Sequence, residues 1–263
     1  MSSKDWFIGY FDELYYKTYK PYEDEDRNKM EAEFIANVLN LPKGSKILDV
    51  GCGYARHAVY LAKMGYYISC LDISGYLLKK AEERVREFNV YNLIRIIKCD
   101  MRNMRFDHEY DAAYIFYTTF GYFSDDENFK VLNNLNKALK KSGLLLIDVP
   151  NPFRMFSSAF HASLLRGIDA TRYTWLESGG YYILEKHDID ILNSRWIMDR
   201  VFIDKSTGRR VSQRISVVRI YMPIELKRFL NEAGFKIIKF YGDYKSSEYT
   251  VLSPRLIILC QAR

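Results

Sequence analysis

Beyond residue 40 the chain alternates short apolar runs with longer segments that mix apolar and polar positions. Lys46–Val50, Tyr67–Leu71, Leu93–Cys99, Tyr110–Tyr117 and Leu144–Val149 are compact apolar runs that predict buried strands. The segments between them, Tyr54–Met64, Tyr76–Phe88 and Asp125–Lys140, read as helices, the last with Ser124 as N-cap and Gly143 shortly past its end. Ahead of the first strand, Met30, Phe34, Ile35, Val38 and Leu39 recur at helical spacing and predict a helix over Asn28–Asn40, closed by Pro42 and Gly44. Apolar strands separated by helices imply a doubly wound, mostly parallel α/β sheet covered on both faces.

The pattern changes at Pro150-Asn151-Pro152. Residues 171–221 lose helical periodicity and read as hairpins separated by turn residues such as Lys205-Ser206-Thr207-Gly208, a small antiparallel sheet inserted in the main one. A helix over Pro223–Ala233 and strands at Phe235–Tyr241 and Leu256–Cys260 bring the main sheet to seven strands. The expected organisation is a helical cap (1–41), a ligand-binding core (42–150), an inserted antiparallel sheet serving as a substrate lid (151–222) and the rest of the core sheet (223–263).

Composition narrows the class. A chain of 263 residues with 48% hydrophobic and 27% charged residues is that of an ordinary globular protein. No apolar run approaches a membrane span and the N-terminus has no basic or apolar leader, so a cytoplasmic protein with no membrane partner is expected. Cys52, Cys70, Cys99 and Cys260 are scattered, with no C-x-x-C pair, and are expected as reduced, mostly buried thiols; no metal site is expected. The net charge of +6 is uneven. Nine acids face five bases in residues 1–40, whereas Arg200, Lys205, Arg209, Arg210, Arg214 and Arg219 face only Asp199 and Asp204 in 199–219. Such strands can attract RNA, but a solvated face is the preferred reading.

The chemistry concentrates in Asp49–Met64, DVGCGYARHAVYLAKM. Gly51 and Gly53 allow close backbone approach between a strand and a helix. A dinucleotide fingerprint needs a third glycine where Arg56 stands, and Asp49 would repel a pyrophosphate. A carboxylate there suits a ligand with cationic or hydrogen-donating groups. Asp72 ends the second strand, where an acid accepts from ribose hydroxyls. Asp100 ends the third, where it can accept from an adenine amino group, and Phe116 and Tyr117 end the fourth. The ordered set marks one ligand crevice at the carboxyl edge of the sheet.

KILDVGCGYARHAVYLAKMGY, followed by CLDIS and KCDM, resembles the class I S-adenosylmethionine (SAM)-dependent methyltransferases, and the chain from the YTTFGYFSDDE loop to its end is similar to a subgroup of small bacterial and archaeal members. The resemblance implies a Rossmann-like methyltransferase fold and SAM as cofactor. It implies that Asp49, Gly51, Cys52 and Gly53 surround the methionine part, with Asp49 near its amino group and Arg56 reaching its carboxylate. Asp72 would hold the ribose, Ile73 would pack beside the adenine, and Asp100 and Met101 would frame it. Phe116 and Tyr117 would border the sulfonium and substrate, and Tyr15 and Tyr19 match cap positions that close over the cofactor. One departure stands out: the family's glycine two places after Gly53 is Ala55.

The motifs address the donor and leave the acceptor open. Transfer to an N or O nucleophile of a small molecule is the expected reaction, with no single catalytic residue dominating. His57 and His161 are candidate functional histidines beside the commoner structural role. Phe120–Phe123 (FGYF) reads as a substrate-facing loop or an apolar plug, and Tyr173, Trp175, Tyr181, Tyr182 and Trp196 as a lid lining or core. The rivals are an RNA methyltransferase using the basic strands, an NAD(P)-dependent oxidoreductase, and a SAM-binding protein without turnover.

Overall fold

The computed structural model describes residues 5–157 and 172–263; His161 lies outside them. The seven-stranded sheet runs β10-β11-β5-β4-β1-β2-β3, with β1 Lys46–Val50, β2 Tyr67–Asp72, β3 Ile94–Lys98, β4 Tyr110–Ile115, β5 Leu139–Pro150, β10 Phe235–Tyr241 and β11 Arg255–Ala262. β1 to β5 are mutually parallel, and β11 is antiparallel to both β5 and β10. Strand alternation divides the core in two. Ile47, Ile68, Cys70, Ala112 and Tyr114 pack on one face, and Leu48, Val50, Leu71, Ala113 and Ile115 on the other. Helices α2 Glu25–Leu39, α3 Ala58–Lys63, α4 Gly75–Glu87 and α5 Asp125–Ala138 flank it.

Chain order reverses at β1, which has β2 on one side and β4 on the other. Beyond the carboxyl ends of β1 and β4 is therefore the crevice where open α/β sheets take their ligands.

Three helix boundaries shift by two or more residues from the sequence pattern. The helix expected from Tyr54 starts at Ala58, because Ala55 adopts a left-handed φ of 60° that breaks helix geometry. The helix expected to run to Lys140 ends at Ala138, and β5 takes over at Leu139. α2 begins at Glu25 rather than Asn28, because the Asp24 carboxylate accepts from the backbone N–H of Asp26 and Arg27 and caps it.

A second, antiparallel sheet, β6-β7-β8-β9, comprises Arg172–Ser178, Tyr181–Asp190, Arg195–Asp204 and Arg210–Arg219. The N-terminal helix α1 (Glu13–Tyr19) docks against it. The Ser178 hydroxyl donates to the Thr18 carbonyl at 2.7 Å, the Tyr22 hydroxyl donates to the Glu177 carbonyl at 2.9 Å, and Arg214 forks onto Asp12 with two 2.8 Å bonds. Gly179 sits so close that a Cβ there would stand 2.2 Å from the Lys17 carbonyl oxygen.

Candidate active site

The turn after β1 carries three left-handed residues at alternate positions: Gly51 (φ 74°), Gly53 (φ 56°) and Ala55 (φ 60°). It is strapped to the next strand by the Gly51 and Cys52 N–H groups, both donating to the Leu71 carbonyl at 2.7 and 3.1 Å. A Cβ on Gly51 would lie 2.2 Å from Thr119 Cγ2, so glycine there lets the loop after β4 close against the turn. That loop is strained as well. Tyr117 and Thr118 have φ of 58° and 67°, unusual for bulky and β-branched residues.

Buried polar partners hold the strained pair. The Tyr117 N–H donates to Asp148 at 2.9 Å, and the fully buried Asp148 also accepts from the Tyr244 hydroxyl and, through both oxygens, from Arg255. Arg255 reaches the Thr118 hydroxyl too, at 3.1 Å. On its other side the Tyr117 hydroxyl donates to Glu31 at 2.8 Å, and the Arg56 guanidinium stacks 3.5 Å from the Tyr117 ring centroid. Glu31 is fully buried on α2 and also meets Arg27 and His57. Burial works against its ionisation, but the hydrogen bond from His57 and the charge of Arg56 outweigh it and hold the carboxyl well below its usual range. Burial and then Arg56 drive His57 down to about 4, so at neutral pH it is an uncharged partner of Glu31. His57 is thus committed to positioning Glu31 and Tyr117. Glu31, Asp148 and Arg255 carry no motif in the sequence, although an acid inside the apolar run LLLIDVP was a visible sign.

The three strand-end acids behave differently. Asp72 accepts the Gly53 N–H at 2.9 Å and the Ser74 N–H at 2.8 Å, one on each oxygen, which leaves lone pairs for a ligand. Burial raises its pKa against those bonds. Asp100 is clasped by the Arg102 guanidinium at 2.7–3.2 Å, and Arg102 extends to Glu127 at 2.7 Å. Burial opposes its ionisation, but Arg102 prevails and its pKa falls. Asp49 has no cationic partner among the described residues. It is 4% exposed, and burial, with Asp72 adding to it, pushes its carboxyl up to about 7 against the Tyr114 hydroxyl and Arg56.

A cavity of about 460 Å³ opens between these groups, a size suited to a small ligand. Every residue expected from the sequence to bind the cofactor lines it: Tyr15 and Tyr19 from the cap, Asp49, Gly51, Cys52, Gly53 and Arg56 from the turn, then Asp72, Ile73, Asp100, Met101, Phe116 and Tyr117. Tyr15 and Tyr19 stack face to face, 4.4 Å between centroids. The FGYF loop divides: Phe120 is core, whereas Tyr122 and Phe123 reach the cavity. Of the aromatic residues expected in the lid, Trp196 lines it, while Tyr173 and Trp175 are exposed at 71% and 58%. No cluster of metal-ligating side chains occurs among the described residues.

The donor set fits SAM. A buried carboxylate without a cation is completed by an α-ammonium, a second acid with spare lone pairs by ribose hydroxyls, and aromatic faces by a sulfonium. Residues 47–143 match the sequence family described as the methyltransferase domain. The glycine/sarcosine N-methyltransferase of Halorhodospira halochloris is 26% identical over 226 residues, 85% of this chain and 77% of that one. The chain is a SAM-dependent methyltransferase whose methyltransferase domain spans residues 47–143.

Its fold is shared with solved structures. The CcbJ methyltransferase from Streptomyces caelestis superposes with a TM-score of 0.78 at 18% identity, covering 93% of this chain and 94% of that one. SAM-bound CalS10, an amino pentose methyltransferase from Micromonospora echinaspora, gives 0.64 at 17%, covering 89% and 90%. The cofactor of this methyltransferase is SAM. No helix among the described residues is long and apolar enough to cross a membrane.

Proposed function

We propose that the enzyme transfers the methyl group of SAM to an amine nitrogen of a small molecule inside this cavity. The observation that carries the reading is Asp49, a buried carboxylate at the switch point of the sheet, facing the cavity with no cation of its own. Bound SAM supplies an activated methyl on a sulfonium. Asp49 receives the amino group and Arg56 the carboxylate of its methionine part. Asp72 takes the ribose, with Ile73, Asp100 and Met101 around the adenine, while Gly51, Cys52 and Gly53 give backbone room. Tyr15, Tyr19, Phe116 and Tyr117 exclude water and border the reacting atoms.

Positioning and dehydration carry most of the rate in such a transfer. The lining supports that view, because His57 is its only described histidine and is held by Glu31. A neutral amine attacks with its own lone pair and asks for no strong base, which favours nitrogen over an alcohol oxygen. The relative that methylates glycine and sarcosine nitrogen supports the same choice. On this reading residues 1–41 cap the cofactor, 42–150 bind it, 151–222 cover the acceptor and 223–263 complete the sheet.

Ion pairing within the basic strands favours a small molecule over RNA. Arg200, Arg214 and Arg219, half the basic side chains of 199–219, turn into ion pairs with Glu185, Asp12, and Asp125 with Glu225. Neither a solvated face nor an RNA track describes them. Methyl-labelled SAM offered to a panel of small amines, small alcohols and total RNA tests the proposal: label in an amine is expected. Label confined to RNA or to alcohols overturns it.

A further inference from the structure

The inner face of the inserted sheet supplies the part of the cavity lining that the cofactor does not explain. Trp196, Met198 and Arg200 come from β8, Ser216 and Val218 from β9, and Trp6 from the segment before α1. Three of these carry donors that lack strong acceptors. The Ser216 hydroxyl is 1% exposed and, with the Trp6 indole N–H, is buried without a hydrogen-bond partner among the described residues. Arg200 is 8% exposed and has five N–H donors. Its Nε donates to Glu185, one Nη to the Tyr10 hydroxyl and the other to the Met198 sulfur at 3.2 Å, a weak acceptor. Each Nη retains a second N–H with no acceptor among the described residues.

The three groups are neighbours. Met198 pairs with Ser216 in the register of β8 and β9, and Arg200 pairs with Arg214 two positions along, so Arg200 and Ser216 are diagonal on the same face. Tyr10 joins the third, with its hydroxyl on Arg200 and its ring 5.1 Å from the Trp6 ring. Buried donors left unpaired are costly, and a lining rich in donors and poor in acceptors describes its missing partner as an oxygen anion.

We propose that the methyl acceptor carries a carboxylate and that Arg200, Ser216 and Trp6 receive it. The proposal rests on the reading of the cavity as the site of methyl transfer, and it names the acceptor class as small amino acids and related amine carboxylates. A forked guanidinium and two further donors suit the two oxygens of a carboxylate. Charge favours a monoanion over a phosphate. Glu185 already pairs with Arg200, and Asp12 pairs with Arg214, which lies opposite Arg200 across the two strands. A dianion would leave a surplus negative charge in a buried site.

The guanidinium is aimed by a relay. The Trp196 indole N–H donates to His187 Nδ1 at 3.3 Å, which leaves the proton on Nε2, and His187 Nε2 meets Glu185 at 3.1 Å, the residue that holds Arg200. Trp196 and His187 are positioning residues, and Arg200 is the specificity residue.

The probe is acetate, titrated into the full chain saturated with S-adenosylhomocysteine and followed by the ¹⁵N indole resonance of Trp6, assigned by its loss in Trp6→Phe. A saturable shift is expected with acetate and none with acetamide. Arg200→Met should weaken the acetate affinity about tenfold or more, with S-adenosylhomocysteine binding unchanged. Ser216→Ala, which removes a hydroxyl that holds nothing in the fold, should weaken it about threefold to tenfold. No saturable shift, or an equal shift with acetamide, overturns the proposal. So does unchanged acetate affinity in both variants. Failure of S-adenosylhomocysteine to bind would instead sink the methyltransferase reading of the cavity, and the same titration without it would still decide whether a carboxylate subsite exists.

Discussion

An aspartate buried at a strand end without a cation is expensive to ionise, and Asp49 titrates near 7 in the folded chain against 3.8 ordinarily. Between those values the folded state holds a proton that the unfolded chain has lost, so this residue's contribution to stability falls as pH rises from about 4 to 7. Asp49→Asn should therefore gain stability relative to the wild type across that window, read by urea unfolding at pH 5 and pH 8. A constant difference would contradict the assignment. Ala55 makes a second residue-scale case. Its left-handed φ of 60° costs an alanine about 1 kcal/mol relative to glycine, so Ala55→Gly should raise stability by about 0.5–1 kcal/mol. The strand-end acids were legible because each ends an apolar run. Glu31 was not: it sits on an amphipathic helix among other acids, and its partners His57 and Tyr117 lie 26 and 86 residues away.

Among the elements, the loop after β4 depends on β5 and β11 for its shape. Asp148 from β5 and Arg255 from β11 pair in the interior and hold Tyr117 and Thr118 left-handed against the glycine turn. Arg255→Met should leave Asp148 buried without its cation and cost about 3–5 kcal/mol in chemical denaturation. A loss below about 1 kcal/mol would show that the pair contributes little. The strands and helices themselves were readable from apolar runs, whereas this pairing spans 107 residues and leaves no local pattern. Hydrophobic period does not mark a helix start where a left-handed alanine or a capping aspartate sets the boundary. The arginines of β8 and β9 looked like a surface because their inward or outward direction depends on register, which composition does not give.

For the molecule as a whole, the cavity belongs to three parts of the chain at once: the cap, the turn and strand ends of the large sheet, and the inner face of the small one. The cap and the small sheet are tied by Asp12–Arg214 and by the close approach of Gly179 to Lys17. The donor end was legible in the sequence as an ordered set of motifs. The acceptor end was not, because it is assembled from β8, β9 and the N-terminal segment, without any spacing to reveal it.

On the function proposed above, Asp49 receives the amino group of SAM. Calorimetric titration of SAM into the wild type and Asp49→Asn, each at several pH values from 5.5 to 7.5, tests it most directly. A carboxylate that must lose its proton to bind an ammonium should make wild-type affinity rise toward pH 7, by up to about tenfold per unit at the acid end. Asp49→Asn should bind at least about tenfold more weakly at pH 7.5 and lose that dependence. Equal affinity for the two proteins, or no SAM binding by the wild type, would contradict it.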